Sequence, residues 1–347
     1  ALENNTTASY NVAMGHNALA ANTTGANNVA IGDGVLVASN ADNNTGVGHR
    51  ALLSNTTGER NTAVGAYAMD AVTTAQWSVA IGYEALTNQT TGNYNTAVGY
   101  QALEDLTTAV DNVAIGLRAL EENNANDNVA IGNYSLEENT TGSQNTACGR
   151  SGLSANTTGE KNTAVGYNAL AANTTGNDNV AVGRGALDAN TTANDNTAVG
   201  KSALTANTTG ASNVAVGKDA LLANTTASYN VAVGHNALQA QTTGDNNVAV
   251  GRNALYTSTT GTHNTAIGAS ATLYALTSGD YNSALGVDAG QSITTGDNNL
   301  VLGKDAGRSN SPSGNIVSAS NIVCLGNNDI TDLFCADTSI SSSDARD

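Results

Sequence analysis

Residues 162–178 read NTAVGYNALAANTTGND, and variants of this 17-residue unit follow one another through most of the 347-residue chain. The glycine of the Asn-Thr-Ala-Val-Gly block, Gly166, belongs to a series of 18 glycines that runs from Gly15 to Gly303. Fourteen of the 17 intervals in this series are 17 residues long, two are 16 and one is 18. A further block ends at Gly326, 23 residues later. Because helix-hairpin repeats need about 33–47 residues per unit, this period excludes them.

The block itself predicts a short β-strand, since Asn, Thr, Val and Gly are poor helix formers. Side chains alternate between the two faces of a strand. We expect Thr163 and Val165 to face one way, into the core, and Asn162 and Ala164 to face the other way. Gly166 would then allow one corner, and the Thr-Thr-Gly segment would form a second.

One unit per coil predicts an all-β fold, a parallel β-solenoid (β-roll) with a coil of about 17 residues. Coils stack at about 4.8 Å, so 18 of them would span roughly 80–90 Å. Identical positions form ladders along such a fibre, and stacked Asn side chains can bond from coil to coil. The predicted ladder positions are represented by Ala30, Ile31, Gly32, Leu36, Asn162, Ala164, Val165, Gly166 and Leu170.

The composition argues against several function classes. Only 12% of the residues are charged, against about 25% in an average domain. The net charge of −17 disfavours binding to nucleic acid or to an anionic membrane. No stretch approaches the roughly 18 apolar residues of a membrane helix, so we expect no membrane insertion. We also expect no cofactor, because the glycines recur as a structural period and not as a phosphate loop.

The alanine column suggests a partner. Ala on an exposed strand contributes neither packing area nor polarity, so we expect Ala30, Ala63 and Ala97 to face a second copy of the chain. The alternative is that these alanines line a tight corner inside their own coil.

The unit Asn-x-Ala-(Val/Ile)-Gly-x-x-Ala-Leu resembles the head repeats of YadA-like trimeric autotransporter adhesins over about residues 1–303. It resembles still more the shaft repeats of bacteriophage tail fibres, in which the Asn-Thr-Thr-Gly insert is common. The resemblance implies a homotrimer of parallel β-rolls, with two further copies of the chain as partners. It implies a structural and adhesive fibre in the virion tail or, alternatively, on a bacterial surface, and in either case an extracellular location.

The C-terminal segment, residues 304–347, departs from the period. Residues 338–347 resemble the junction at which the endosialidase-type intramolecular chaperone of tail fibres begins, which favours the phage relative. In that family the chaperone cuts itself off at a Ser-Asp bond, and the matching pair is Ser343-Asp344. By this resemblance residues 308–343 would contact a host glycan or protein; the alternative is that they cap the solenoid or join it to a tip. The opening residues, Ala1 to Thr7, match the second half of a unit, so we expect residue 1 not to be the biological start.

Other candidate sites are weak. The histidines are His16, His49, His235 and His263; we expect them to lie on the surface, far apart and with no carboxylate beside them, which argues against a metal site. Cys148 replaces a buried aliphatic residue, and Cys324 and Cys335 could meet across a turn. Asp178-Asn179 and Asp195-Asn196 could hold Ca²⁺, without the expected loop spacing. The repeat itself generates the glycosylation sequons at Asn22 and Asn207.

Two further function classes remain open. A polysaccharide depolymerase needs two carboxylates about 5–9.5 Å apart, and the acidic pairs are Glu121-Glu122 and Glu137-Glu138. An ice-binding solenoid is suggested by the threonine ladder, although adjacent Thr side chains point to opposite faces of a strand. The acidic pairs fall on variable positions of the repeat, and a 17-residue coil leaves little room for a groove. We therefore predict no enzyme, apart from a single self-cleavage by a chaperone domain.

Overall fold

A computed structural model describes residues 1–311 and 313–330. Its strands form a single 19-stranded sheet in which each strand pairs, in parallel, with its neighbours along the chain. One strand per repeat means that the chain winds once per unit, so the prediction of an all-β parallel solenoid is confirmed. No helix in the described residues is long and apolar enough to cross a membrane.

The strands are short, and all but two contain three residues. They are β1 Val12–Met14, β2 Val29–Ile31, β3 Thr45–Val47, β4 Thr62–Val64, β5 Val79–Ile81, β6 Thr96–Val98, β7 Val113–Ile115, β8 Val129–Ile131, β9 Thr146–Cys148, β10 Thr163–Val165, β11 Val180–Val182, β12 Thr197–Val199, β13 Val214–Val216, β14 Val231–Val233, β15 Val248–Arg252, β16 Thr265–Ser270, β17 Ser283–Leu285, β18 Leu300–Leu302 and β19 Val323–Leu325.

Equivalent residues stack in register. Ala164 pairs with Ala147 on one side and with Ala181 on the other. The ladders expected from the sequence are therefore present from one coil to the next.

The two faces of the strand are the reverse of our expectation. Ala30 and Ala164 are completely buried inside their own chain, whereas Val165 is 38% exposed and Ile81 is 42% exposed. The prediction that the alanines face a second copy is wrong, and the alternative, that they line their own coil, is correct. The reason is space: the core of most coils consists mainly of two alanines and one leucine, so the inner face of the strand takes a small residue in nearly every coil, with Val301 in β18 as an exception.

The leucine of each coil supplies most of the apolar volume from an unusual backbone. Leu170 is fully buried, and its φ is +53°, in the left-handed region. That conformation costs an L-residue about 1–2 kcal/mol. Burial of a Leu side chain contributes about 1.5–3 kcal/mol, so the turn that aims the leucine inward is stabilising on balance.

The block glycine forms the corner predicted from the sequence. Gly166 has a φ of +135°, and a Cβ there would lie 2.7 Å from the carbonyl carbon of Gly183 in the next coil. Any side chain would therefore separate neighbouring coils, which explains why this position is glycine throughout.

Stacked asparagines form the predicted ladder from coil to coil, but they lie in the interior, on the face that we expected to point away from the core. The backbone N–H of Asn162 donates to Oδ1 of Asn145 at 2.9 Å, and the Asn162 amide donates to the carbonyl of Gly176 at 2.8 Å. Oδ1 of Asn162 in turn accepts the N–H of Asn179 at 3.0 Å. The side chains thus satisfy buried backbone groups that no strand could pair.

A second, unpredicted ladder is formed by the Asn of the Asn-Thr-Thr segment. The amide of Asn173 donates to Oδ1 of Asn156 at 2.8 Å and to the carbonyl of Gly176 at 3.0 Å. Each coil therefore carries up to two buried amides besides its thin apolar core.

In the two 16-residue coils a single asparagine stands where complete coils have the Thr-Thr pair. Oδ1 of Asn40 accepts the backbone N–H of Thr23 at 2.8 Å, and Oδ1 of Asn124 accepts that of Thr107 at 3.0 Å. In complete coils a threonine carbonyl of the next coil accepts this bond, as between Thr157 and Thr174 at 2.9 Å. The side-chain oxygen thus substitutes for the deleted peptide group.

The solenoid continues beyond the boundary at residue 303 that we placed from the sequence. Strand β19, Val323–Leu325, pairs in parallel with β18 and adds one more coil, with the intervening segment as an insert. The predicted processing bond Ser343-Asp344 and Cys335 lie outside the described residues.

Candidate functional site

The strongest surface feature is an apolar band, which we call the outer stripe: the first and third residues of every strand. Its first column is mainly Val and Thr, and its third is mainly Val and Ile. Exposed members include Val64, Ile131, Val199 and Leu285. With 19 strands at about 4.8 Å, the stripe is roughly 85 Å long. Contiguous exposed apolar surface of this extent marks an interaction site.

Cys148 belongs to this stripe. The sequence suggested a buried thiol, but Cys148 is exposed at the third position of β9. Cys324 occupies the inner position of β19 and is buried, with the hydroxyl of Ser311 at 3.0 Å from its sulfur.

A second surface lies beside the stripe, and we call it the edge column. It consists of the residue directly after each block glycine and the residues next to it in the sequence. In the N-terminal half it is aromatic. The rings of His49 and Tyr67 lie 5.2 Å apart, those of Tyr67 and Tyr83 5.9 Å, and those of Tyr83 and Tyr100 5.5 Å. These side chains form one stack that bridges four successive coils.

The acidic pairs considered for a depolymerase lie next along this edge. Arg118 donates to Glu121 at 2.8 Å and lies 3.0 Å from Glu137 in the following coil. The structure therefore brings one carboxylate of each pair together, but with an arginine between them that offsets one of their two charges. This arrangement is an ion-paired cross-link between coils, and it does not resemble an acid and a nucleophile that flank a substrate.

Burial and like charges act on this acidic region. Burial, followed by the charges of Glu84 and Asp105, raises the pKa of the Glu104 carboxyl above its ordinary value. Burial also raises the pKa of Glu137, and Arg118 opposes that shift. The carboxylates of Glu104 and Glu137 are thus partly shielded from solvent, and both bind a proton more readily than an ordinary glutamate does.

The histidines differ from the sequence expectation at the N-terminal end. Asp33 lies between two of them: Oδ1 is 3.0 Å from Nδ1 of His16, and Oδ2 is 3.3 Å from Nδ1 of His49. The expectation that no carboxylate accompanies the histidines is therefore wrong for these two. In the described part of the chain, no group of three or more His, Cys, Asp or Glu side chains is placed to hold a metal ion.

The calcium candidates are divided between the surface and the interior. Asp178 and Asp195 are exposed, whereas Asn179 is fully buried and its Oδ1 accepts the N–H of Asn196 at 3.0 Å. The two members of each Asp-Asn pair therefore do not face one site. The sequon residues Asn22 and Asn207 are completely buried, so their side chains are not accessible in the folded solenoid.

Comparison with models of known protein families finds no match to this chain, and a search of the curated proteins finds none either.

We did not identify the edge column from the sequence, because the residues after the block glycines look like a mixture when they are taken together. Their order along the chain carries the signal. The residue after the block glycine changes from aromatic (Tyr83, Tyr100) to basic (Arg184, Lys201, Lys218) in successive coils.

Proposed function

We propose that this chain is the shaft of a homotrimeric extracellular fibre, in which copies of the chain pack through the outer stripe and position a binding tip at a fixed distance. The observation that carries the proposal is the continuous exposure of Val and Ile along the sheet. A single chain leaves part of this apolar surface in water, as at Val165, which is 38% exposed, and covering it in a contact would add to stability.

The length and straightness of the stripe favour a copy of the same chain as the partner. A body that covers a band of roughly 85 Å must itself be long and must repeat at the spacing of the coils, about 4.8 Å. A second copy in register meets both conditions, since each of its coils presents the same two columns. In a trimer such contacts are heterologous and close into a ring around a three-fold axis.

The number three and the biological setting come from the resemblance of the repeats to phage tail-fibre shafts. A shaft in a virion tail fibre is therefore our first assignment, with host-receptor contact, to a surface glycan or protein, beyond the shaft. A bacterial surface adhesin of the trimeric autotransporter type is the alternative. We propose a structural and not a catalytic role, because the acidic pairs are bridged by Arg118.

The mass of the assembly tests the proposal. Light scattering should give three copies for the wild-type chain and a smaller assembly for Val165→Glu, which places a charge in the outer stripe. Thr175→Glu is the matched control, because Thr175 is exposed on a different part of the coil. A monomeric wild-type chain, or equal effects of the two substitutions, would contradict the proposal.

Cys148 offers a second test, independent of folding stability. In a variant with Cys324→Ala and Cys335→Ala, mild oxidation should give disulfide-linked dimers, because Cys148 of adjacent copies would meet at the centre of the fibre. The control carries Cys148→Val and Thr158→Cys, which moves the thiol to an exposed threonine outside the stripe. Equal cross-linking in both variants would show that the contacts are random collisions.

A further inference from the structure

Basic side chains are concentrated in one part of the edge column. In the seven coils that begin at Gly149 to Gly251, five residues directly after the block glycine are Arg or Lys. In the other eleven coils only Lys304 is basic at this position. We call this part the basic stretch: Arg150, Arg184, Lys201, Lys218 and Arg252, with Tyr167 and His235 between them.

Most of these cations have no acidic partner. All seven side chains are exposed. Among the residues that the structure describes, only Lys218 has a carboxylate within ion-pair distance, that of Asp219 at 3.2 Å. Arginines elsewhere on the edge are neutralised, as Arg50 is by Asp70 at 3.2 Å. Four unpaired cations in a chain of net charge −17 are therefore a local exception.

The geometry of the stretch is that of a line. Its cations follow the coils at steps of about 4.8 Å or twice that distance, over roughly 29 Å. A shallow groove of about 170 Å³ lies in its middle, and its lining consists of Tyr167, Asn168, Arg184, Gly185, Asp188, Lys201, Ser202 and Thr205. The groove thus combines an aromatic ring, two cations, one carboxylate and neutral hydrogen-bonding groups, so its cations outnumber its single acid.

We propose that the basic stretch binds a linear acidic polysaccharide along the fibre axis. Carboxylates spaced along the polymer would pair with the cations, the ring of Tyr167 would pack on a sugar face, and Asn168 and Thr205 would bond sugar hydroxyls. The proposal goes beyond the role of the shaft as a spacer, and it does not depend on the number of copies in the fibre.

The net charge of the chain does not prevent this binding at physiological salt. Interactions beyond about 8 Å are largely screened at 0.15 M ionic strength. Direct contacts between the cations and a bound carboxylate act at much shorter distance, so they outweigh the repulsion from acidic residues elsewhere on the fibre.

Two other occupants are less well matched. Single-stranded nucleic acid is usually held by several aromatic rings on which successive bases stack, whereas Tyr167 is the one aromatic residue among the eight that line the described groove. The acidic region of a second fibre, around Glu121 and Glu137, is the other candidate, but copies packed in register would not bring that region level with the basic stretch, which begins at a later coil.

The experiment measures binding of the full chain to polygalacturonate, which carries one carboxylate per sugar, with dextran as the neutral polymer and oligo(dT) as the nucleic acid. The test variant carries Arg184→Gln, Lys201→Gln and Lys218→Gln. The control variant carries Arg50→Gln, Arg60→Gln and Lys161→Gln, which removes the same charge outside the stretch. Thermal unfolding of each variant verifies that the fold is retained.

We expect the wild type and the control to bind polygalacturonate and not dextran. The affinity of the test variant for polygalacturonate should fall by up to about tenfold, since each exposed ion pair contributes modestly. Equal weakening in both variants would reduce the effect to overall charge and overturn the proposal. Tighter binding of oligo(dT) than of polygalacturonate would assign the stretch to nucleic acid. Salt-sensitive self-association of the wild type, without polymer binding and lost in the test variant, would assign it to a second fibre.

Discussion

The inner and outer faces of each strand follow different rules. On the inner face 16 of the 19 central strand residues are alanine, and they are buried in a core a few atoms wide. On the outer face Val, Ile, Leu, Met, Thr and Ser interchange freely. The difference teaches that on the strand of a thin solenoid the size of a residue, more than its hydrophobicity, identifies the inner face, because the leucine of each turn already fills most of the interior.

An exception on the inner face makes the same point. In the coil that begins at Gly32, Val35 stands where most coils have an alanine, and the next strand has Gly46 where most strands have Ala. A Cβ on Gly46 would lie 2.5 Å from Cγ1 of Val35. The volume added by one residue is thus removed from the other.

The largest effect should come from the inner leucine. We expect Leu187→Ala to lower the free energy of unfolding by about 2–5 kcal/mol per chain. Because Leu187 has a φ of +52°, Leu187→Gly should cost no more than Leu187→Ala, the reverse of the usual order. Chemical denaturation measures both.

The control is Leu222→Ala, directly after the inner Leu221 and only half-buried. Its cost should be clearly smaller. A cost equal to that of Leu187→Ala would break the distinction between inner and outer positions.

A smaller effect is expected at the exchanged pair. Gly46→Ala should destabilise the chain by about 1–3 kcal/mol, because it overfills the core. Val35→Ala in the same chain should restore much of that loss, and a double-mutant cycle in denaturant gives the coupling. Additive costs would show that the two sites do not share one volume.

The smallest effect should be a gain. Gly152 stands where most coils have an inner alanine, and a Cβ there would meet its nearest neighbour, Cβ of Ala147, at an ordinary 3.5 Å. We expect Gly152→Ala to stabilise the chain by about 0.4–1 kcal/mol, mainly through the unfolded state. Thermal unfolding at fixed concentration detects it, and a loss of stability would mean that the inner face is already full at this coil.

The period of the repeat was enough to predict the solenoid, the parallel register and the ladder of Asn162 and its equivalents. It could not predict which strand face is inside, because alternation defines two faces and assigns neither. The assignment depends on the width of the coil, which is set by turns such as the one at Leu170. The positive φ of Leu170 cannot be predicted from the sequence, because leucine rarely adopts it. The ion pairs of Asp33 and Arg118 were missed because they join residues of successive coils.

The irregular coils acquire a further meaning from the sameness of the others. Sliding one chain along another by a single repeat would leave almost every ladder intact, so the regular coils cannot define a unique alignment between copies. The short coils that contain Asn40 and Asn124, the long coil before Gly286 and the insert before β19 occur at unequal intervals. In the proposed assembly they would match only when two copies are level, and they would then set the register between neighbouring chains.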